Sequence, residues 1–190
     1  MSKRSDLSKA RKMTSFIIDQ HKGRTPHPSW EDHPECPFCR IIRGDGDAFR
    51  VYENDKVVAF LDILPLRQGH TLVVPKTHCP RLSELPADLA AALGEAITKV
   101  AHALTKAMNN TALNVVCNQE YAQAVPHVHY HIIPAPTFES TAKISPYPSL
   151  KHGRQAPLSR SEMHRMEFEA REELDQEEGG ELVRKIRALL

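Results

Sequence analysis

Long apolar runs, abundant cysteine and an excess of charge of one sign are all missing from this sequence of 190 residues. The longest apolar runs, such as Leu72-Val73-Val74-Pro75, are strand-sized, far short of the roughly 20 residues that a membrane-spanning helix needs. Lys and Arg number 25 against 24 Asp and Glu, so a formal net charge of +1 gives no overall attraction to nucleic acid or to an anionic membrane. These absences favour a globular protein that binds any anion at a local site.

Four cysteines are too few for a disulfide framework. Cys36 and Cys39 form a Cys-x-x-Cys pair, whereas Cys79 and Cys117 stand alone, a usage that fits a reducing compartment. We therefore expect a cytoplasmic or nuclear protein. No apolar segment typical of a secretory signal follows the basic start, and the composition of residues 2–12 leaves targeting to an organelle as the alternative.

The Cys36-x-x-Cys39 pair has the spacing of half a tetrahedral zinc site, and redox chemistry is the competing interpretation. Redox dithiols of the thioredoxin type lie between a strand and a helix N-terminus. Residues 28–33 do not have the pattern of a strand, so the sequence favours a metal.

Composition divides the chain into three parts. Residues 1–33 form a basic, polar extension, and residues 34–138 form the domain, in which apolar runs alternate with turn residues. Residues 139–190 form a Pro/Ser-rich linker followed by a charged extension from Glu162 to Leu190. We expect this extension to be helical over 167–174 and to break at Gly179-Gly180.

The sequence predicts an α+β domain with five mainly antiparallel strands, a short N-terminal helix and one long helix. Apolar residues recur every three or four positions between Pro86 and Met108, which predicts a long helix with one buried face. Strands are predicted in five segments, namely 50–52, 57–61, 70–74, 112–117 and 127–134.

Three histidines alternate with apolar residues in the last of these strands. Because side chains of a strand alternate between faces, His127, His129 and His131 are expected on one face, about 7 Å apart. Such a cluster can hold a catalytic metal with an open position for water, or one imidazole can attack phosphorus while its neighbours hold the phosphate oxygens. These residues alone leave both chemistries open.

The segment from His127 to Ile133 resembles the signature of the histidine triad (HIT) family of nucleotide hydrolases and transferases, His-φ-His-φ-His-φ-φ with φ apolar. The resemblance extends from Cys36 to Pro136 through "CPFCRIIRGD", "VVAFLDILPLRQGHTLVVPKTH" and "VPHVHYHIIP". It is strongest to the Hint-like branch, which implies a HIT-like fold, adenosine 5'-monophosphoramidase activity and a two-fold homodimer.

The resemblance implies catalytic roles for four residues. His129 is the expected nucleophile, which would carry a covalent nucleotidyl intermediate, and His131 would contact the phosphate. Asn118 would hydrogen-bond a phosphate oxygen, and Gln123 would lie near the scissile bond, with an ordinary surface-loop glutamine as the alternative.

The same resemblance implies a site for a purine nucleotide of the AMP type. Asp62 would bind the ribose, since a carboxylate can accept hydrogen bonds from both hydroxyls. Phe38, Ile41 and Ile63 would form the apolar wall against the purine, although each could equally be an ordinary core residue.

Zinc-containing members of the wider superfamily complete the metal site with two histidines, which correspond here to His78 and His127. Together with Cys36 and Cys39 they would close a Cys2His2 shell around a structural zinc. His127 would then hold the metal while His129 and His131 perform the phosphate chemistry.

One departure bears on the substrate. Ala124 stands where the Hint-like branch has a serine near the leaving group, while Gln123 is similar to the branch that cleaves diadenosine polyphosphates. Without that serine hydroxyl, hydrolysis of diadenosine polyphosphates is the alternative substrate class. A non-catalytic nucleotide-binding scaffold and a metallohydrolase are the alternatives from other functional classes.

Overall fold

The computed structural model describes residues 34–136, 165, 168–169 and 171–190. The expected extension over 1–33 and most of the linker lie outside these residues, so both stay predictions. Within the described part, no helix is long and apolar enough to cross a membrane.

Five antiparallel strands form one sheet in the order β1-β2-β3-β5-β4. The strands are β1 (Arg50–Glu53), β2 (Val57–Leu61), β3 (Thr71–Pro75), β4 (Leu113–Cys117) and β5 (Tyr130–Pro134). The helices are α1 (Pro37–Arg43), α2 (Ala87–Ala107) and α3 (Gln176–Arg187), and a 3₁₀ turn covers Leu82–Glu84. The predicted α+β architecture is confirmed.

Alternation along the strands produces two cores, one on each face of the sheet. Val58 and Phe60 face one side, whereas Val57, Ala59 and Leu61 face the other. The small core lies beneath α1 and comprises Cys36, Phe38, Cys39, Val58, Phe60, Leu72 and Val74. The large core lies beneath α2 and α3.

The large core depends on the apolar stripe of α2. Leu93, Val100 and Leu104 are each 0–1% exposed and recur at the spacing of a helix face. Ala96 and Ala103 complete this stripe and let the helix approach the sheet closely. The predicted long helix is thus confirmed within a residue at each end.

The C-terminal helix packs into the same core. Asp175 caps it by accepting hydrogen bonds from the backbone N–H groups of Glu177 and Glu178. Leu182, Val183 and Ile186 are buried with the side chains of α2. The expected domain boundary at 138 stays a prediction, because it falls outside the described residues.

Two expectations about the chain are wrong. α3 runs through Gly179-Gly180 without a break because Gly179 lies against the Phe49 ring, where a Cβ atom would approach within 2.7 Å. Residues 171–174 are not helical, and the Leu174 N–H donates to the Ile63 carbonyl instead.

The final strand also begins later than expected, at Tyr130 rather than at His127. The Val128 N–H donates to the Cys79 carbonyl at 2.7 Å, so the backbone here bonds to the loop after β3 rather than to a neighbouring strand. The expected alternation persists nevertheless, because Val128 and Ile132 are in the large core while His129 contacts Phe38 of the small core.

Candidate active site and metal centre

Two thiols and two imidazoles converge at the N-terminus of α1. Cys36 immediately precedes α1, Cys39 lies in its first turn, His78 follows β3 and His127 precedes β5. Their donor atoms all lie within 4.8 Å of one another. The structure therefore brings together all four residues of the expected metal shell.

The geometry of this cluster fits a tetrahedral ion. Zn–S and Zn–N bonds of about 2.3 and 2.0–2.1 Å imply S···N separations of roughly 3.6 Å at a tetrahedral angle. The Sγ atoms of Cys36 and Cys39 lie 3.5 and 3.6 Å from His127 Nδ1, and Cys39 Sγ lies 3.3 Å from His78 Nδ1. The thiols and imidazoles are also the ligands that zinc prefers.

A carbonyl orients the His127 ring toward the thiols. His127 is fully buried, and its Nε2–H donates to the Pro75 carbonyl at 2.8 Å. The proton is therefore on Nε2, and Nδ1 presents its lone pair to the cluster. Such a carbonyl partner is a common way to fix a metal-binding histidine.

Burial bears on the reactivity of Cys39. Burial, together with the neighbouring Cys36, raises the pKa of Cys39 to about 12. Reactive redox cysteines have lowered pKa values that favour the thiolate. Cys79 lies outside the cluster, in the large core, where its thiol donates to the Arg81 carbonyl at 3.1 Å.

His129 lies beside the cluster with one ring nitrogen already occupied. Its Nδ1–H donates to the His127 carbonyl at 2.6 Å, which leaves the lone pair on Nε2. The residue is 3% exposed, and burial lowers its pKa, so the imidazole is neutral at pH 7. A neutral imidazole with a fixed tautomer has the electronic form that a nucleophile requires.

A chain of hydrogen bonds also fixes the tautomer of His131. The Leu66 N–H donates to His70 Nδ1 at 3.2 Å, so the proton of His70 is on Nε2. That Nε2–H donates to His131 Nδ1 at 2.9 Å, and the proton of His131 is therefore on its own Nε2. His131 thus has an N–H available for a phosphate oxygen. Burial lowers the pKa of both His70 and His131 to about 3, so both rings are neutral.

Sequence reasoning did not identify His70 as a site residue. Its signal was present in the alternation of β3, because His70 is two residues before Leu72 and four before Val74, which both face the small core. Leu72 is the register partner of His131, which places His70 diagonally across from it.

Asp62 lies beside His70, in the loop after β2, without a hydrogen bond between the two side chains. One carboxylate oxygen lies 3.4 Å from His70 Nδ1, and the other accepts from the Leu64 N–H at 3.0 Å. Asp62, His70 and His131 could in principle share an ion. Their hydrogen bonds argue against it, because the Nδ1 lone pairs of His70 and His131 already accept from Leu66 and His70.

The two amide residues of the expected site have different surroundings. Asn118 is half-buried, immediately after β4 and two residues from Val116, the register partner of His131. Gln123 is only 6% exposed, so the alternative of a surface-loop residue is wrong. Its amide accepts from the Glu120 N–H and donates to the Pro80 carbonyl, at 2.7 and 3.0 Å.

The residues expected to form a purine wall are not equally enclosed. Phe38 is buried, and its ring centroid lies 5.1 Å from that of His129 in an edge-to-face arrangement. Ile41 packs against the small core from its edge. Ile63 is 63% exposed and so offers an apolar surface next to Asp62. Their contact with a purine stays a prediction.

Comparison with known proteins places this chain in a family. The HIT domain model matches residues 43–137. An adenylylsulfatase from Arabidopsis thaliana is 38% identical over 102 residues, which are 53% of this chain and 52% of that protein. The chain therefore spans about half the length of this relative.

A second relative, an adenosine 5'-monophosphoramidase from Schizosaccharomyces pombe, is 40% identical over 106 residues, which are 55% of this chain and 77% of that protein. Among solved structures, a zinc-bound histidine triad protein from Mycobacterium smegmatis superimposes with a TM-score of 0.52 at 30% identity. That match covers 73% of this chain and 94% of the other.

Proposed function

We propose that this chain, which belongs to the HIT family, cleaves adenosine nucleotides at the α-phosphate. The reaction proceeds through a covalent nucleotidyl-His129 intermediate, and adenosine 5'-monophosphoramidates are the favoured substrates. The relatives support nucleotide hydrolysis in general. One observation carries the finer proposal: the His129 Nδ1–H is held by the His127 carbonyl at 2.6 Å, which frees Nε2 for attack.

The reaction has two displacements at the same phosphorus atom. His129 Nε2 attacks the α-phosphorus and forms an N–P bond, while the P–N bond to the leaving amine breaks and the amine takes a proton from solvent water. Water then attacks the phosphorus, releases AMP and restores the His129 lone pair. His131 donates its Nε2–H to a phosphate oxygen in both steps and so stabilises the charge that develops there.

Other side chains would bind the rest of the nucleotide. Asp62 accepts hydrogen bonds from the ribose, Phe38 and Ile63 contact the purine, and Asn118 reaches a phosphate oxygen from the end of β4. Support comes from the half-buried carboxylate of Asp62, which lies 3.4 Å from His70, the residue that donates to His131.

The identity of the leaving group is the least constrained part. The names of the two relatives imply different leaving groups, sulfate for one and an amine for the other. Both substrates contain the same adenylyl group. A diadenosine polyphosphate is the alternative suggested by Gln123. Because both ends of the Gln123 amide are bonded to backbone groups, its role is better explained as support for the 119–127 loop.

Mass spectrometry of acid-quenched protein tests the covalent step. Brief exposure to adenosine phosphoramidate should add an adenylyl group to the wild-type chain, and the His129→Ala variant should show no adduct. Product without any adduct would contradict covalent catalysis. Binding of AMP without turnover of a phosphoramidate or a diadenosine polyphosphate would instead favour a nucleotide-binding scaffold.

We further propose that Cys36, Cys39, His78 and His127 hold a structural zinc ion. The four donors would fill a tetrahedral shell and leave no position for water, and the ion would fix the segment that leads into β5. Purified protein should contain one zinc per chain. Cys39→Ser should lose it, whereas the matched Cys79→Ser should retain it because Cys79 lies in the other core.

The order of events on chelation distinguishes a structural from a catalytic ion. A structural zinc predicts that the melting temperature falls before or together with activity. Immediate loss of turnover with an unchanged melting temperature would contradict this proposal. The homodimer implied by family resemblance stays a prediction, which sedimentation of the purified chain would test.

A further inference from the structure

The C-terminal segment lies beside the proposed ribose site. The Leu174 N–H donates to the Ile63 carbonyl at 2.9 Å, and Gln68 donates to Glu178 at 2.7 Å. Because Leu182 and Ile186 are buried in the large core, α3 fixes the residues that precede it. Segment 171–174 is therefore attached to the loop that carries Asp62, although it lies outside the part of the chain that the family match covers.

Arg171 in this segment has a restrained guanidinium. Its Nε–H donates to the Phe168 carbonyl at 2.9 Å, and its Cζ atom lies 3.7 Å from the centroid of the Phe168 ring. Stacking on an aromatic ring limits the orientations of the guanidinium plane. Nε is one of three guanidinium nitrogens, and the other two have no hydrogen-bond partner among the described residues. A preorganised cation of this kind is suited to binding an anion.

The backbone places Arg171 near Asp62, because it is three residues before Leu174, whose N–H bonds to the carbonyl of Ile63, the neighbour of Asp62. Arg171 acts on the Asp62 carboxylate and on His70, in addition to the burial that mainly determines their pKa values. It is not among the influences on His131, whose pKa is lowered by burial and by His129. The hydrogen bond between Leu174 and Ile63 thus places Arg171 on the side of the site that carries Asp62.

A cation next to the ribose-binding carboxylate changes which nucleotides fit. Asp62 alone would accept hydrogen bonds from ribose hydroxyls but would repel a phosphate attached to the ribose. In dinucleotide-binding Rossmann folds, an arginine near the ribose accommodates a 2'-phosphate. A guanidinium can form two parallel hydrogen bonds with such a phosphate.

We propose that Arg171 is a specificity-determining residue that recognises a phosphate monoester on the ribose of the adenine nucleotide. The substrate class would then be adenylyl compounds that carry a 2'- or 3'-phosphate in addition to the 5'-linked α-phosphate. This inference rests on the proposed function, since it assumes that Asp62 faces the ribose.

Calorimetric binding to the full chain tests the proposal with four ligands: AMP, ADP, adenosine 2',5'-bisphosphate and adenosine 3',5'-bisphosphate. ADP is the matched ligand, because its second phosphate is on the 5' side. We expect one bisphosphate to bind about 10- to 100-fold more tightly than ADP, the range typical of a charged hydrogen-bonded contact. Arg171→Gln should reduce this ratio to about 2 or less, and Arg171→Lys should give an intermediate ratio.

Arg184→Gln, on the exposed side of α3, is the control variant and should keep the wild-type ratio. Bisphosphates that bind no more tightly than ADP to the wild-type chain would overturn the proposal without any variant. Equal weakening of ADP and bisphosphate by Arg171→Gln would also overturn it, because that result indicates a general charge effect. AMP that neither binds nor is released from a phosphoramidate would contradict the proposed function itself.

Discussion

On the face of the sheet beneath α2 and α3, the buried side chains are almost all aliphatic, and Leu93, Val100, Leu104 and Ile186 are each 0–1% exposed. On the face beneath α1, two thiols and a phenylalanine pack against equally buried histidines. The first face gains its stability from the area of apolar surface that it buries. The second must satisfy buried polar groups one by one, through hydrogen bonds and the proposed metal.

We infer from this difference that one face of the sheet provides stability and the other carries the chemistry. We call the face beneath α2 and α3 the helix face, and the face beneath α1 the α1 face. The helix face makes the sheet rigid, and the rigid sheet holds the rings of His129 and His131 on the α1 face at a centroid separation of 4.8 Å. Substitutions on the two faces should then separate activity from stability.

The largest effect is expected from His129→Ala, which removes the proposed nucleophile. Turnover should fall on the order of 10⁴-fold or more, because loss of a covalent nucleophile removes the whole pathway. Nucleotide binding should remain measurable, since the other binding residues are still present. Steady-state kinetics together with AMP titration checks this. A variant within tenfold of wild-type turnover would mean that the α1 face does not act through His129.

Leu93→Ala is the reciprocal change on the helix face. Leu93 is 1% exposed in the large core, so truncation should cost about 2–5 kcal/mol of unfolding free energy through lost burial and a residual cavity. Turnover per folded molecule should stay within about twofold. Urea denaturation and active-site titration measure the two quantities. A large loss of turnover in the folded fraction would contradict the separation of the faces.

Acid should destabilise the α1 face through its buried histidines. The pKa values of His70 and His131 are about 3 in the folded chain, against an ordinary value of 6.5. Between pH 6.5 and 3 the unfolded chain binds protons that the folded chain does not, so stability falls as pH falls through this window. Each such proton contributes roughly 1.4 kcal/mol per pH unit.

Urea denaturation at several pH values, with chelator present throughout, measures this slope. His70→Asn should reduce the slope by about one proton. The control His102→Asn changes an exposed histidine of α2 and should leave the slope as in wild type. An unchanged slope in His70→Asn would show that His70 is already protonated in the folded chain or plays no part.

The buried residues of the helix face could be predicted from the local periodicity of the sequence. The stripe of α2 and the alternation of β2 are set by residues close in sequence, so a pattern reveals them. The expected metal shell also came together, although its histidines were identified by family resemblance rather than by spacing.

Features that depend on contacts between distant segments were missed. His70 acquires its role only because β3 pairs with β5, and Arg171 only because Leu174 bonds to Ile63. The late start of β5 has the same origin, since the Val128 N–H bonds to Cys79 rather than to a neighbouring strand. The alternation of β3 indicates the face on which His70 lies, but no local pattern identifies the distant residue that each of these segments contacts.

Gly179 and Gly180 provide the smallest test and show why the pair was misread as a helix break. Glycine lowers helix propensity at both positions, yet only Gly179 is required, because its missing side chain makes room for Phe49. Gly179→Ala should cost about 1–3 kcal/mol, since a Cβ atom would lie 2.7 Å from the Phe49 ring. Gly180→Ala should instead stabilise the chain by up to about 1 kcal/mol, because nothing lies within 4 Å of that Cβ atom. Equal melting temperatures for the two variants would mean that the contact between α3 and Phe49 does not help to fix α3 on the helix face.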